Sequence, residues 1–154
     1  KAGCLSLAGD PEFDGASLIT NWHAPKGRSF QDSVTDLDQV LRGYQPGQQG
    51  VDGGGFSIVT VKPSGYFYAQ FEALKNGYVD DLEFALTPGE GGDGDVLELQ
   101  VRSSSRVGFL DAGVNAKRLN FLALQLRAKG WDVLEITRKS HPDYFIQNYG
   151  PSSL

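Results

Sequence analysis

Two adjacent carboxylates, Asp80 and Asp81, and two arginines, Arg102 and Arg106, lie in segments that alternate polar and apolar residues. Paired carboxylates can act as general acid and base, and Arg106 together with Arg118 could clamp an anionic ligand through bidentate hydrogen bonds. Adjacent side chains of a strand point to opposite faces, however, so Asp80 and Asp81 would not share a substrate. We therefore expect Asp80 in a buried cluster and Asp81 in a surface ion pair.

A buried carboxylate needs a cation or several hydrogen-bond donors. A segment with helical spacing supplies Asp111 as its cap, Asn115 at the start of its apolar stripe and Arg118 at the margin of that stripe. We predict a structural polar cluster that ties the strands to this helix. Its predicted members are Asp80, Arg102 or Arg106, Asp111, Asn115 and Arg118, with Asp81 at its edge in a cross-strand pair with Arg102.

Other residue types that could do chemistry are poorly placed for it. The run Ser103 to Ser105 has no histidine near it in sequence, so no nucleophile and base are paired. His23 and His141 each stand alone beside a proline, and the Gly and Asp repeat at 91–95 occurs once, without the stacked copies that a calcium site needs. The sequence predicts no catalytic residue, no metal site and no cofactor.

A predicted antiparallel hairpin positions the two carboxylates and the two arginines. Residues 78–86 and 96–107 alternate with period two, and the glycine-rich loop between them ends each strand. A register that puts apolar side chains on one face also brings opposite charges together on the other. The predicted pairs are Leu82 with Val101, Phe84 with Leu99, Leu86 with Leu97, Glu83 with Gln100 and Asp81 with Arg102.

Three ordered blocks resemble a known family. Residues 68–84, 101–108 and 111–118 look like the core of the domain-of-unknown-function family 1499, and the resemblance extends from about residue 56 to residue 130. It implies a fold and carries over no catalytic role. Because such proteins occur in bacteria and chloroplasts, the resemblance also implies a plastid protein of the thylakoid lumen, with a soluble plastid or bacterial protein as the alternative. The partner that this location implies is a photosynthetic complex containing photosystem subunits.

The remaining pattern completes an α+β fold. Strands at 56–62 and 66–73 join the hairpin in a four-stranded antiparallel meander, to which residues 131–137 add a fifth strand or a packed extension. An N-terminal helix from Ser29 to Gly43 and a C-terminal helix from Asp111 to Gly130 pack on one face. The predicted organisation is an irregular N-terminal arm at 1–29, a single α+β domain at 30–137 and an extended C-terminal tail at 138–154.

The C-terminal helix is apolar on two sides. Phe121, Leu124 and Ala128 lie opposite Leu119 and Leu122, and a single sheet can cover only one side. The second side must meet the chain's own arms or another protein. The tail either wraps its own domain or is held by a partner. The predicted protein-binding residues are Phe121, Leu124, Ala128, Tyr144, Phe145 and Tyr149.

Composition narrows the classes of partner. A net charge of -5 argues against nucleic acid and against anionic membrane as partners, and no apolar run is long enough for a transmembrane segment, which leaves peripheral association. The chain begins at Lys1 and holds no methionine, so we expect a processed protein that has lost a targeting peptide, although an artificially shortened chain would begin in the same way.

Three functions fit these observations. The first is a non-catalytic accessory or assembly module that docks on a larger complex. The second is a protein that binds a small apolar ligand, such as a lipid or pigment, in a cavity. The third is an enzyme that uses Asp80, Arg106 and Arg118, in which case Asp80 and Arg106 should border an open cleft.

Overall fold

A computed structural model describes residues 3–6, 15–89 and 96–151. They form one antiparallel sheet of six strands and three α-helices. The strands are β1 (Cys4–Ser6), β2 (Trp22–His23), β3 (Gly55–Lys62), β4 (Tyr66–Glu72), β5 (Val79–Pro88) and β6 (Leu97–Ser105). The helices are α1 (Phe30–Arg42), α2 (Val114–Ala128) and α3 (Pro142–Tyr149), and a short 3-10 helix spans Gln48–Gly50.

The predicted α+β fold with a central meander is confirmed. Strands β3 to β6 pair in chain order, and β1 and β2 both pair with β6. The prediction of an irregular segment at 1–29 is wrong for these two short strands, because Leu5 and Trp22 bury their side chains in the core while their backbones complete the edge of β6. A short buried segment carries too little alternation to be recognised as a strand.

The register of the hairpin β5–β6 differs from the predicted one by two residues. Leu82 lies opposite Ser103, and Asp81 lies opposite Ser104 instead of Arg102. A shift of two keeps every side chain on its predicted face, so the alternation of the sequence cannot distinguish the two registers. The other changed pairs are Phe84 with Val101, Leu86 with Leu99 and Glu83 with Arg102.

Helices α1 and α2 cover the face of the sheet that carries its apolar side chains. The Ser29 hydroxyl accepts a hydrogen bond from the Asp32 N–H and caps α1, as the sequence predicts. Helix α2 begins at Val114 rather than directly after Asp111, because Ala112 and Gly113 have positive φ angles of 52° and 74°. The Asp111 carboxylate reaches across this turn and accepts from the N–H groups of Gly113 and Asn115.

The chain after α2 matches one prediction and departs from another. Of the two predicted forms of residues 131–137, the structure shows the packed extension and not the fifth strand: Trp131, Val133 and Ile136 are buried, Asp132 makes an isolated bridge to His23, and the Trp131 indole N–H donates to Asp36. The tail is not extended, because 142–149 form α3. None of the helices in the described ranges combines the length and the hydropathy needed to cross a membrane.

Candidate functional site

A fully buried guanidinium links the sheet, α2 and the loop before β3. Arg118 projects from α2, with its Nε and Nη2 atoms 2.9 and 2.5 Å from the two oxygens of Asp52, and with Nη2 also 2.7 Å from Asp80 Oδ2. Its Nη1 donates to Ser103 Oγ and to Asn115 Oδ1. The five N–H donors of an arginine are thereby all used. We call these five side chains the arginine cluster.

The arginine cluster keeps its central charge. Burial opposes the charged form of Arg118, but the hydrogen bonds and negative charges of Asp52 and Asp80 outweigh it and raise the pKa of Arg118 above its usual range. The guanidinium also lies over the Phe71 ring, 4.6 Å from its centroid. Arg118 is therefore a permanent positive charge inside the protein, and its two carboxylates compensate that charge.

Asp52 is the member of the arginine cluster that the sequence did not indicate. It follows the 3-10 helix in a loop without periodicity, and its φ of +57° is one that residues other than glycine rarely adopt. The Tyr44 hydroxyl donates to Asp52 Oδ2 at 2.5 Å, and the Gln48 amide donates to Tyr44. One signal was available, because Asp52 is the only charged residue in 45–55.

Asn115 extends the network toward the N-terminal strand. It is fully buried; its Oδ1 accepts from the Ser103 hydroxyl at 2.6 Å, and its Nδ2 donates to the Gly3 carbonyl, Ser105 Oγ and Asp111 Oδ2. The predicted grouping of Asp80, Asp111, Asn115 and Arg118 is thus present in the structure. Strand β5, the turn at Asp111 and helix α2 meet at these residues, and the polar contacts join the hairpin to α2 as the sequence predicts.

Helix α3 is fastened to the turn before α2. The Tyr144 hydroxyl donates to both Asp111 oxygens, at 2.9 and 2.8 Å, and Asn148 Oδ1 accepts from the Asp111 N–H. The Tyr149 hydroxyl donates to the Ala112 carbonyl. Gly113 is required here, since a Cβ at this position would lie 1.9 Å from the Tyr149 hydroxyl oxygen. Tyr144 is fully buried, so its predicted role in binding another protein is wrong.

Arg102, Arg106 and Asp81 do not belong to the buried cluster. Arg106 donates to both Asp81 oxygens, at 2.9 and 2.8 Å, and Arg102 donates to Glu83 at 3.0 Å. These ion pairs lie on the outer face, because Arg102 in β6 and Arg106, which directly follows β6, both point away from the helices. The Arg106 hydrogen bonds lower the pKa of Asp81. Tyr66, on the same face, has its pKa raised to about 12 by its hydrogen bond to Glu83.

A cleft of about 670 Å³ opens beside the arginine cluster. Its walls are the loops at 73–78 and 106–113, and Asp52, Asp80 and Asp111 line its floor. Asp80 Oδ2 is held by Arg118, whereas Asp80 Oδ1 accepts no hydrogen bond from any described residue. Neither Arg106 nor Arg118 lines the cleft. The large apolar side chains of the walls are Leu74, Tyr78, Val107 and Leu110.

The floor of the cleft offers a hydrogen-bond acceptor. A carboxylate oxygen of this kind accepts from a hydroxyl, an amide or an ammonium group. Within 3–6, 15–89 and 96–151, no three His, Cys, Asp or Glu side chains are grouped as metal ligands. The Gly and Asp repeat at 91–95, which resembles part of a calcium site, lies outside the described residues.

The predicted outer face of α2 is partly covered by the chain itself. Phe121 is half-buried, with its ring centroid 5.2 Å from that of Tyr44, whereas Leu124 and Ala128 are exposed. In α3, Phe145 is half-buried and stacks on the exposed Tyr149 ring at 5.9 Å. The exposed part of the predicted protein-binding surface is therefore Leu124 and Ala128 on α2 and Tyr149 on α3.

Two buried tyrosines predict a loss of stability at alkaline pH. Burial and the neighbouring Asp52 and Asp111 raise the pKa values of Tyr44 and Tyr144 above their usual value near 10. Above pH ~10 the unfolded chain loses these protons while the folded chain keeps them, so the free energy of unfolding falls by about 1.4 kcal/mol per pH unit for each tyrosine. Below pH ~10 neither tyrosine contributes a pH dependence.

Urea unfolding at a series of alkaline pH values measures this slope. The Tyr144→Phe variant serves as the comparison, because it removes one of the two tyrosines and should make the slope shallower. Equal slopes for the Tyr144→Phe variant and the unmodified chain would contradict the assignment.

Comparison with known proteins identifies the family. Residues 7–126 match the family described as a protein of unknown function (DUF1499). The matched range includes β2 to β6, α1 and most of α2, and therefore also Asp52, Asp80, Asn115 and Arg118. No curated protein and no solved structure matches the chain. Because the match covers well over half of the 154 residues, the chain belongs to the DUF1499 family.

Proposed function

We propose that this protein is a non-catalytic binding protein whose cleft takes up an amphiphilic molecule, with the polar head at Asp80 and the apolar tail between the two wall loops. One observation carries the proposal: a cleft of about 670 Å³ has apolar walls and, at its floor, a carboxylate oxygen that no described residue satisfies. Pockets for small molecules commonly have such a volume, with apolar walls and few polar groups.

The charges at the floor favour one class of head group. Asp52, Asp80 and Asp111 line the cleft, and Arg118 behind them balances only part of their negative charge. A carboxylate or phosphate head would be repelled there, whereas a hydroxyl or ammonium head can donate to Asp80 Oδ1. The proposed ligand is thus a long-chain alcohol or amine, or a lipid with such a head.

The geometry gives less support to an enzyme that uses Asp80, Arg106 and Arg118 together. Arg106 lies on the opposite face of the sheet, where it pairs with Asp81. Arg118 uses every N–H on the protein's own acceptors, so it has none left for a substrate. The arginine cluster therefore acts as a support for the floor of the cleft.

Equilibrium binding of dodecanol, dodecylamine and dodecanoate tests the proposal. We expect the alcohol and the amine to bind more tightly than the carboxylate. Leu110→Ser removes an exposed wall side chain and should raise the Kd of dodecanol about tenfold, as expected from losing the burial of one leucine. Leu124→Ser is the matched control, since the two leucines are 50% and 54% exposed and Leu124 lies outside the cleft.

Two results would overturn the proposal. The first is dodecanoate binding as tightly as the alcohol, because the head group would then not meet a carboxylate. The second is an equal Kd for the Leu110→Ser and Leu124→Ser variants, because the wall would then not contact the tail.

A second candidate is an accessory module that docks on a larger complex, such as a photosynthetic complex of the thylakoid lumen. It is favoured by the exposed Leu124 and Ala128 on α2 and by a groove of about 360 Å³ between α1 and α2 that Ala128 borders. For this candidate we expect photosystem subunits to co-purify with the protein from thylakoid membranes. The Leu124→Ser variant should no longer recover these subunits, whereas the Leu110→Ser variant should still recover them. Equal recovery with both variants would count against it.

A further inference from the structure

The mouth of the cleft carries an unusual concentration of exposed apolar side chains. Of the eleven large hydrophobic residues that are exposed in the described ranges, five lie in the two wall loops at 73–78 and 106–113. They are Leu74 (74% exposed), Tyr78 (49%), Val107 (53%), Phe109 (63%) and Leu110 (50%). We call these five residues the apolar rim. Exposed apolar residues that cluster in this way commonly mark an interaction site.

The members of the apolar rim surround one opening. Leu74 and Tyr78 come from the turn between β4 and β5, and Val107 and Leu110 from the segment between β6 and α2; all four line the same cleft. Phe109 lies next to Leu110 in the second loop. The two loops therefore present their apolar side chains on either side of the entrance, where a ligand tail must pass.

We infer that the apolar rim inserts into a lipid surface, so that the cleft opens directly toward the acyl chains. Only the identity of the ligand rests on the proposed function, because the rim can dock on a lipid surface whether or not the cleft is occupied. A rim that excludes water at the entrance lets a tail move from the bilayer into the cleft without crossing water, which avoids the cost of exposing apolar surface.

The charges of the two loops suit a lipid surface. Although the chain has a net charge of -5, the loops contain Lys75 and Arg106 and no exposed carboxylate; their only acid, Asp111, is 8% exposed and bonded internally. Lys75 makes no ion pair with any described residue. A cation beside aliphatic and aromatic side chains is typical of protein segments at a membrane interface, where the cation meets phosphate groups and the apolar side chains reach the acyl region.

Sedimentation with protein-free vesicles tests the docking. The vesicles contain phosphatidylcholine with a minor fraction of phosphatidylglycerol. We expect the unmodified chain to bind them, and a Leu74→Ser, Phe109→Ser double variant to bind about tenfold more weakly or less, given the apolar area removed. The matched control is Leu124→Ser with Leu134→Ser, since Leu134 is 61% exposed and neither residue lines the cleft. This control should bind as the unmodified chain does.

Each remaining outcome counts against docking. The inference fails if the unmodified chain stays in the supernatant, or if the rim variant and the control variant sediment equally. If the chain sediments with native membranes but not with protein-free vesicles, the rim binds a protein instead.

The contribution of charge is tested with Lys75→Gln. This variant should bind more weakly to the vesicles with phosphatidylglycerol and should bind pure phosphatidylcholine as the unmodified chain does. An equal loss of binding to both kinds of vesicle would show that the positive charge of Lys75 does not contribute.

A single substitution separates this inference from the proposed function. Phe109 belongs to the rim but does not line the cleft, so Phe109→Ser should reduce vesicle binding and leave the Kd of dodecanol in solution unchanged. If the unmodified chain binds vesicles but no dodecanol, docking stands and the proposed function falls. If it binds dodecanol but no vesicles, the proposed function stands and docking falls.

Discussion

Replacing Arg118 with methionine is expected to lower the free energy of unfolding by about 3–5 kcal/mol, because removing one partner of a buried ion pair leaves uncompensated charge. Here one substitution removes the only cation in the described ranges that contacts both Asp52 and Asp80, which are 3% and 7% exposed. It also leaves Asn115 Oδ1 without one of its two donors. Urea unfolding monitored by tryptophan fluorescence measures the loss.

Arg106→Met is the matched control, since it removes the same group from an exposed ion pair that contributes little to stability. Adding Asp52→Asn and Asp80→Asn to Arg118→Met should recover part of the lost stability, because amides are far less costly to bury than unpaired carboxylates. If the Arg118 and Arg106 variants lose the same stability, the arginine cluster does not brace the fold.

The sequence predicts which face of the sheet each strand residue occupies, but it does not predict which residue lies opposite it on the neighbouring strand. Leu82 and Val101 both lie on the core side as predicted, yet they are not opposite each other. Period-two alternation fixes the face alone, and any even shift satisfies it equally. The register that forms places Ser105 opposite Asp80 and Ser103 beneath Asn115, so polar side chains meet at one end of the hairpin.

The same alternation should have excluded Arg102 and Arg106 from the buried cluster. Once Val101 is assigned to the core face, its neighbour Arg102 must point outward, and Arg106 lies on the same side of the strand. Charge complementarity with Asp80 suggested otherwise, but an attraction between opposite charges cannot turn a side chain through the sheet. The arginine on the core side comes from α2 instead.

Asp52 and the shape of the cleft were beyond prediction for a different reason. Asp52 meets Arg118 across 66 positions of the chain, and its loop has neither periodicity nor a motif that fixes its conformation. Helix α3 in the tail could have been predicted, because the sequence places residues with the spacing of one helical face there. These residues are Tyr144, Phe145, Asn148 and Tyr149. The apolar rim depends on two loops that only the completed sheet and α2 bring together.

Replacing Asp111 with alanine is the second substitution with a large expected effect. Its carboxylate accepts from the Tyr144 hydroxyl, the Asn115 side chain and the N–H groups of Gly113 and Asn115. Each buried donor that is left unsatisfied costs about 1–3 kcal/mol, and we expect a total loss of about 3–5 kcal/mol once local rearrangement supplies some new partners. Urea unfolding gives the total loss, and amide hydrogen exchange shows which elements loosen.

Helix α3 should respond most strongly to this change, because the Tyr144 hydroxyl loses both of its Asp111 acceptors, and of the contacts between α3 and Asp111 only the hydrogen bond from the Asp111 backbone N–H to Asn148 remains. The matched control is Asp143→Ala, which removes an exposed carboxylate from the first turn of α3 and should cost about 0.3–1 kcal/mol. A second readout is independent of stability: the negative charge of Asp111 helps to raise the pKa of Tyr144, so Tyr144 should ionise at lower pH in the Asp111→Ala variant. If exchange in α3 and the titration of Tyr144 are both unchanged while the protein is destabilised, Asp111 acts only as the cap of α2, and α3 is held by its apolar contacts.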